Sequence, residues 1–213
     1  MTLFVEGLEK HYRDQALFNP INISLGRGMG LGVYGQNGSG KTTFLDIIAG
    51  LTRQSAGTAK YKGTLTYVMQ RPSFQESLSF KDNLATEAYL YGYRGAAAKA
   101  RIEECAQRCG LTTFWKKRYA RGSAGMRGRL GVAAALIPGP DIILLDEVFN
   151  FLDIESVAQI KQVLLSEKQR GMSIVMVSHS RDDFLGLCQQ VLMLPDASTQ
   201  GVEVPNTSTS GTA

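Results

Sequence analysis

Apolar and polar residues change rhythm several times along the chain, and each rhythm predicts a different element. Residues 2–6 alternate loosely, as a half-buried strand does. Two more strands are expected at 21–25 and 31–34, then a helix over 41–51. A turn at Ser55-Ala56-Gly57 leads to short strands near 59–61 and 65–69. From residue 80 to 135 the period becomes helical, predicting helices at 81–91, 96–109 and 126–137. The run Ile142-Ile143-Leu144-Leu145 is apolar at every position, which suits a strand buried on both faces. A helix over 154–170, a strand at 173–177, a helix at 182–188 and a strand at 190–194 follow. Residues 198–213 are rich in Thr, Ser and Gly and read as a disordered tail.

Strands alternating with helices predict an α/β fold with a mostly parallel sheet at its core. Residues 1–197 read as one domain, with a small antiparallel β part at the N-terminus and an inserted helical lobe over about 77–137. The net charge of +4 is mildly basic, but no run of five Lys/Arg occurs and no aromatics interleave with the basic residues. Nucleic acid is therefore not expected as a partner. No stretch approaches the roughly 20 apolar residues of a membrane-spanning helix. The start of the chain lacks the basic n-region of a secretory signal. Three cysteines without a C-x-x-C pair suit reduced thiols, and Cys105 and Cys109, one helical turn apart, read as packing residues.

The sharpest chemical signal is Gly35-Gln36-Asn37-Gly38-Ser39-Gly40-Lys41-Thr42-Thr43, which fits G-x-x-x-x-G-K-[ST]. A predicted strand precedes it and a predicted helix follows, the context in which such a loop wraps phosphate. Gly35, Asn37, Gly38, Ser39, Gly40 and Thr43 would turn backbone N–H groups toward the anion, at the positive end of a helix dipole. Lys41 would reach the β- and γ-phosphates and the Thr42 hydroxyl would ligate Mg²⁺. These residues predict a nucleoside triphosphate site of the P-loop NTPase kind. Gly30-Leu31-Gly32-Val33-Tyr34-Gly35 also spells the dinucleotide pattern G-x-G-x-x-G, but it lies inside a strand rather than at a strand-to-helix turn.

Such a loop needs a carboxylate partner, and Ile142–Leu145 ends in Asp146-Glu147. A strand adjacent to the loop-bearing strand is expected to bring Asp146 to the Mg²⁺ shell. Glu147, the next acid, is the candidate general base for an attacking water.

With both halves in place, the chain over residues 2–195 resembles the ATP-binding cassette family of ATPases. The resemblance implies that Tyr12 stacks on adenine and that Gln70, in Tyr67-Val68-Met69-Gln70, contacts Mg²⁺ and the attacking water. It implies that Asp153, in Asn150-Phe151-Leu152-Asp153, communicates between paired subunits and that His179 meets the γ-phosphate. The family signature, usually Leu-Ser-Gly-Gly-Gln, is altered here to Gly122-Ser123-Ala124-Gly125-Met126. Ser123 and Gly125 are kept, and the resemblance has them cap ATP bound to a second cassette. Ala124 adds a Cβ where glycine is usual, and Met126 replaces the polar Gln.

The resemblance further implies an ATP-hydrolysing subunit, dimerising with a second ABC ATPase chain as a homodimer. It would act at the cytoplasmic face of the membrane as a peripheral protein driving a separate membrane-spanning transporter subunit. That subunit would dock beside Arg71-Pro72-Ser73-Phe74-Gln75-Glu76, where Phe74 and Phe80 are either exposed contacts or packing residues. Ser123-Ala124-Gly125-Met126-Arg127-Gly128-Arg129-Leu130 is similar to the S-x-G-M-x-x-R-L pattern of exporter ATPases. Asn150 and an intact Gln70 lean toward drug and peptide cargo; Val148, where proline is usual, leans toward polysaccharide. A cytosolic assembly ATPase is the reading from another class.

Overall fold

The structure, a computed structural model, describes residues 2–13, 15–70, 73–196 and 198–201. In chain order its strands are β1 (Leu3–Tyr12), β2 (Gln15–Leu25), β3 (Gly30–Tyr34), β4 (Ala56–Tyr61), β5 (Leu65–Val68), β6 (Ile142–Asp146), β7 (Ser173–Ser178), β8 (Gln190–Met193) and β9 (Ser198–Gly201). Its helices are α1 (Lys41–Ile48), α2 (Phe80–Leu90), α3 (Gly95–Arg108), α4 (Ala124–Leu136) and α5 (Ile154–Gln169). An antiparallel sheet runs β2-β1-β4 and a second sheet runs β5-β6-β7-β3-β8-β9, parallel except for the β8–β9 pair.

β6 and β7 are buried at every position, because helices cover both faces of the parallel sheet. Alternation then divides each strand between two cores. On one face Leu31, Val33, Ile142, Leu144, Val175 and Val177 pack with Phe44 and Leu45 of α1. On the other, Ile143, Leu145, Ile174 and Met176 pack with residues of α4 and α5 such as Leu130, Ile160 and Leu164.

Four expectations change. First, β6 does not neighbour β3: β7 lies between them. α1 packs across the face of both β6 and β7, so its first turn still reaches the end of β6. Second, β1 and β2 are far longer than predicted. A register shift between Val5 and Leu8 moves the inward set from Leu3 and Val5 to Leu8, which breaks the alternation that would have revealed the strand. Third, the helix expected at 182–188 is a single 3-10 turn, Arg181–Phe184. Phe184 is fully buried, its ring in the space a Cβ on Gly32 would fill, and Gly30 likewise admits the backbone of Leu187 and Cys188. The segment is pinned flat onto β3, so it cannot coil, and the G-x-G of the dinucleotide decoy serves this close approach. Fourth, the tail does not begin at Ser198, because Ser198–Gly201 pair with β8. Backbone ladder bonds need no apolar side chains, so composition hid this strand. The rest of the expected tail, 202–213, lies outside the described residues.

Phe80 settles as a packing residue: it is fully buried, edge-on to Phe114 with ring centroids 5.0 Å apart. Phe74 is half-buried and meets the Tyr119 ring at 5.5 Å. Arg71 and Pro72 lie outside the described residues. Cys105, Cys109 and Cys188 are all buried and free. Burial pushes the Cys105 thiol up to about 11 and the other two to about 12, in keeping with packing roles.

Candidate functional site

The loop after β3 turns tightly, Ser39 N donating to Gln36 O at 3.2 Å, and Gly40 enters α1 at φ +94°. That left-handed conformation disfavours any side chain. α1 has no side-chain cap and no acid in its first turn, so its leading N–H groups stay open to an anion. The Ser39 hydroxyl is buried without a hydrogen-bond partner among the described residues, and it fills the space beside Gly35 where a Cβ would stand. A buried donor left unsatisfied in a loop of open N–H groups fits an anionic ligand.

Lys41 is 6% exposed and donates to the carbonyls of Gly35 at 2.9 Å and Gln36 at 3.0 Å. Its ammonium lies 3.8 Å from Oε1 of Glu147. Thr42 Oγ1 donates to Oδ2 of Asp146 at 2.9 Å. Among the described residues Oδ1 of Asp146 is buried and has no hydrogen-bond partner. Burial pushes the Asp146 carboxyl up, opposed by the Thr42 hydrogen bond, which favours the ionised form. A buried carboxylate with an open oxygen, beside a hydroxyl and next to a phosphate loop, is a donor set that fits Mg²⁺. That ion commonly takes one or two carboxylates and completes its shell with water and phosphate.

Glu147 leaves β6 at φ +50°, which turns its side chain out of the sheet and over the loop. Its Oε2 accepts from Gln70 Nε2 and from Asn150 Nδ2, both at 2.7 Å. Two donors on one oxygen fix the carboxylate and leave Oε1 directed toward Lys41. Tyr12, Asn37, Gly38, Gly40, Lys41, Thr42, Thr43, Gln70 and Glu147 line one cleft of about 430 Å³. Gly35, Ser39 and Asp146 are buried and do not line it; Asp146 reaches it through its bond with Thr42. Tyr12 is 55% exposed, with the Lys10 ammonium 4.8 Å from its ring centroid.

Other predicted residues stand apart. His179 is exposed just past β7, level with Gly35 because Ser178 pairs with Tyr34, and does not line the cleft. Ser123 caps α4, accepting from Met126 N at 3.2 Å, and Gly125 is buried against Ser156. Asp153 caps α5 with bonds from the Ser156 N–H at 2.8 Å and hydroxyl at 3.0 Å, which hold its carboxyl below the usual range. Ser123 and Asp153 line a different groove, of about 840 Å³, between α3, α4 and α5. Ala124 is exposed, so its extra methyl crowds nothing within the chain.

Sequence reasoning missed three residues here. Asn150 holds Glu147, a role hinted at only by its spacing three residues on, and Asp46 and Tyr67 lie beside Asp146, a position that neither the helix nor the Gln70 stretch reveals.

Residues 18–150 match the family described as ABC transporter. The ABC transporter ATP-binding protein NatA of Bacillus subtilis is 33% identical over 82% of this chain and 76% of its own length. The lantibiotic transport ATP-binding protein SrtF of Streptococcus pyogenes is 26% identical over 94% of this chain and 93% of its own. A solved dimeric ATP-binding cassette in a post-hydrolysis state, bound to ADP and Pi, superposes with a TM-score of 0.82. It covers 94% of this chain and 99% of that one, and at 21% identity the likeness speaks to the fold. This chain belongs to the ABC transporter family: it is an ATP-binding ATPase subunit with the P-loop NTPase fold.

Proposed function

We propose that this ATPase powers export, dimerising with a second copy around ATP and Mg²⁺ at the cytoplasmic face of a membrane and driving a separate membrane-spanning subunit. The convergence of Lys41, the Thr42–Asp146 pair and the Gln70–Glu147–Asn150 cluster on one cleft carries the enzymatic half of this reading. The Ser123–Leu130 pattern and the similarity to a lantibiotic transport protein support export, with peptide or drug cargo ahead of polysaccharide. Among the described residues no helix is long and apolar enough to cross a membrane.

In this reading the loop N–H groups and Lys41 hold the triphosphate, the ammonium exchanging the loop carbonyls for phosphate oxygens. Tyr12 stacks on the base at the cleft mouth. Thr42, Asp146 and Gln70 would hold Mg²⁺, whose charge neutralises the phosphates. Glu147 takes a proton from the attacking water at its open oxygen, Oε1, while Gln70 and Asn150 keep the carboxylate in place. The partner copy's signature residues, with His179 once its exposed side chain turns from the end of β7 toward the cleft, complete the γ-phosphate shell.

Glu147→Gln tests the chemistry: turnover should fall by about 10²–10⁴, while ATP drives a dimer that persists on size exclusion. Hydrolysis at the parental rate would remove Glu147 as the base. Detergent co-purification tests the transport half, and finding only cytosolic partners would favour the assembly ATPase instead.

A further inference from the structure

Asp46 stands one helical turn after Thr42 on α1, so the two side chains share a face. Tyr67 pairs with Leu144, which lies two residues before Asp146 and on the same face of the sheet. The phenol therefore rises between two carboxylates, Asp46 and Asp146, and an un-ionised phenol is a donor. A phenol has one proton to give, and here it goes to Oδ1 of Asp46 at 3.2 Å. Among the described residues Oδ1 of Asp146 is buried with no hydrogen-bond partner.

We propose that Asp46 positions Tyr67 by holding its single phenolic proton, and so keeps Oδ1 of Asp146 free for a divalent cation. The inference rests on the reading of Asp146 as a cation ligand. Without an acceptor at position 46 the phenol turns to the other carboxylate beside it, Asp146, and competes with the cation for its Oδ1. Asp46 and Tyr67 are positioning residues in this scheme; neither touches nucleotide.

The test measures ATP affinity by fluorescence on ice, in excess Mg²⁺ and in EDTA, and reads the ratio. Asp46→Ala should cut the Mg²⁺-dependent gain about tenfold, the scale seen when outer partners of metal ligands are lost, with affinity in EDTA unchanged. Asp46→Asn keeps a carbonyl for the phenol, and should retain the parental gain despite the lost charge. Asp46→Ala with Tyr67→Phe removes the competing proton and should restore it. Equal losses in all three variants would mean that only the charge of Asp46 matters, and an unchanged ratio in Asp46→Ala would mean that the phenol never competes. Either result overturns the inference while leaving the cation site standing. A parental chain whose affinity ignores Mg²⁺ would instead overturn both.

Discussion

Asp146 shows how a functional group is held at a cost to the fold. Its pKa is raised by burial above the unfolded value of about 3.9. Below that pH the carboxyl is neutral in both states. As pH rises, the unfolded chain ionises freely while the buried group resists, so stability is lost until pH passes the folded value. Asp146→Asn removes this loss and still offers Thr42 an acceptor. The nucleotide-free variant should melt above the parent at neutral pH, with the two curves converging toward pH 4, while hydrolysis disappears. Melting below the parent throughout would mean that the Thr42 bond to the ionised group outweighs desolvation. The neighbouring Glu147 shows the same economy in its backbone: a bulky residue at φ +50° is strained, and the strain aims the carboxylate.

Among elements, one contact sensitive to volume is where α4 begins against α5. Gly125 lies so close to Ser156 that an added Cβ would collide with its hydroxyl. Gly125→Ala should destabilise by about 1–3 kcal/mol through overpacking. Ala124→Val, one residue earlier but exposed, should cost less than about 1 kcal/mol. Thermal melts of the two decide; equal losses would place the strain elsewhere in α4. The elements themselves were unevenly legible. Helices and buried strands such as β6 and α5 announce themselves because periodicity and capping are local properties of the chain. The broken alternation of β1, the flattened 181–184 turn and the Ser/Thr-built β9 depend on what lies across from them, and no single segment records that. The site divides in the same way. Lys41, Thr42, Asp146 and Glu147 sit in contiguous motifs, whereas Asp46, Tyr67 and Asn150 meet the chemistry only through strand order and a turn.

At the scale of the molecule, the proposed dimer has each chain supply two incomplete halves. Lys41 and Glu147 line the nucleotide cleft, while Ser123 lines a different groove, its hydroxyl occupied in capping α4. For Ser123 to meet a γ-phosphate, the phosphate must be presented from outside. A two-fold pairing of identical chains does this twice, each cleft facing the partner's α4 start. Ser123→Asp separates the two roles of this residue. Aspartate caps a helix as well as serine, so α4 and the melting temperature should hold. Its carboxylate would repel the partner's γ-phosphate and remove a donor from the site, lowering turnover by about 10²–10³. ATP affinity of the isolated chain, which depends on the cleft alone, should not change. Loss of affinity in step with turnover would mean that Ser123 serves its own chain's cleft, and the head-to-tail arrangement would fall with it.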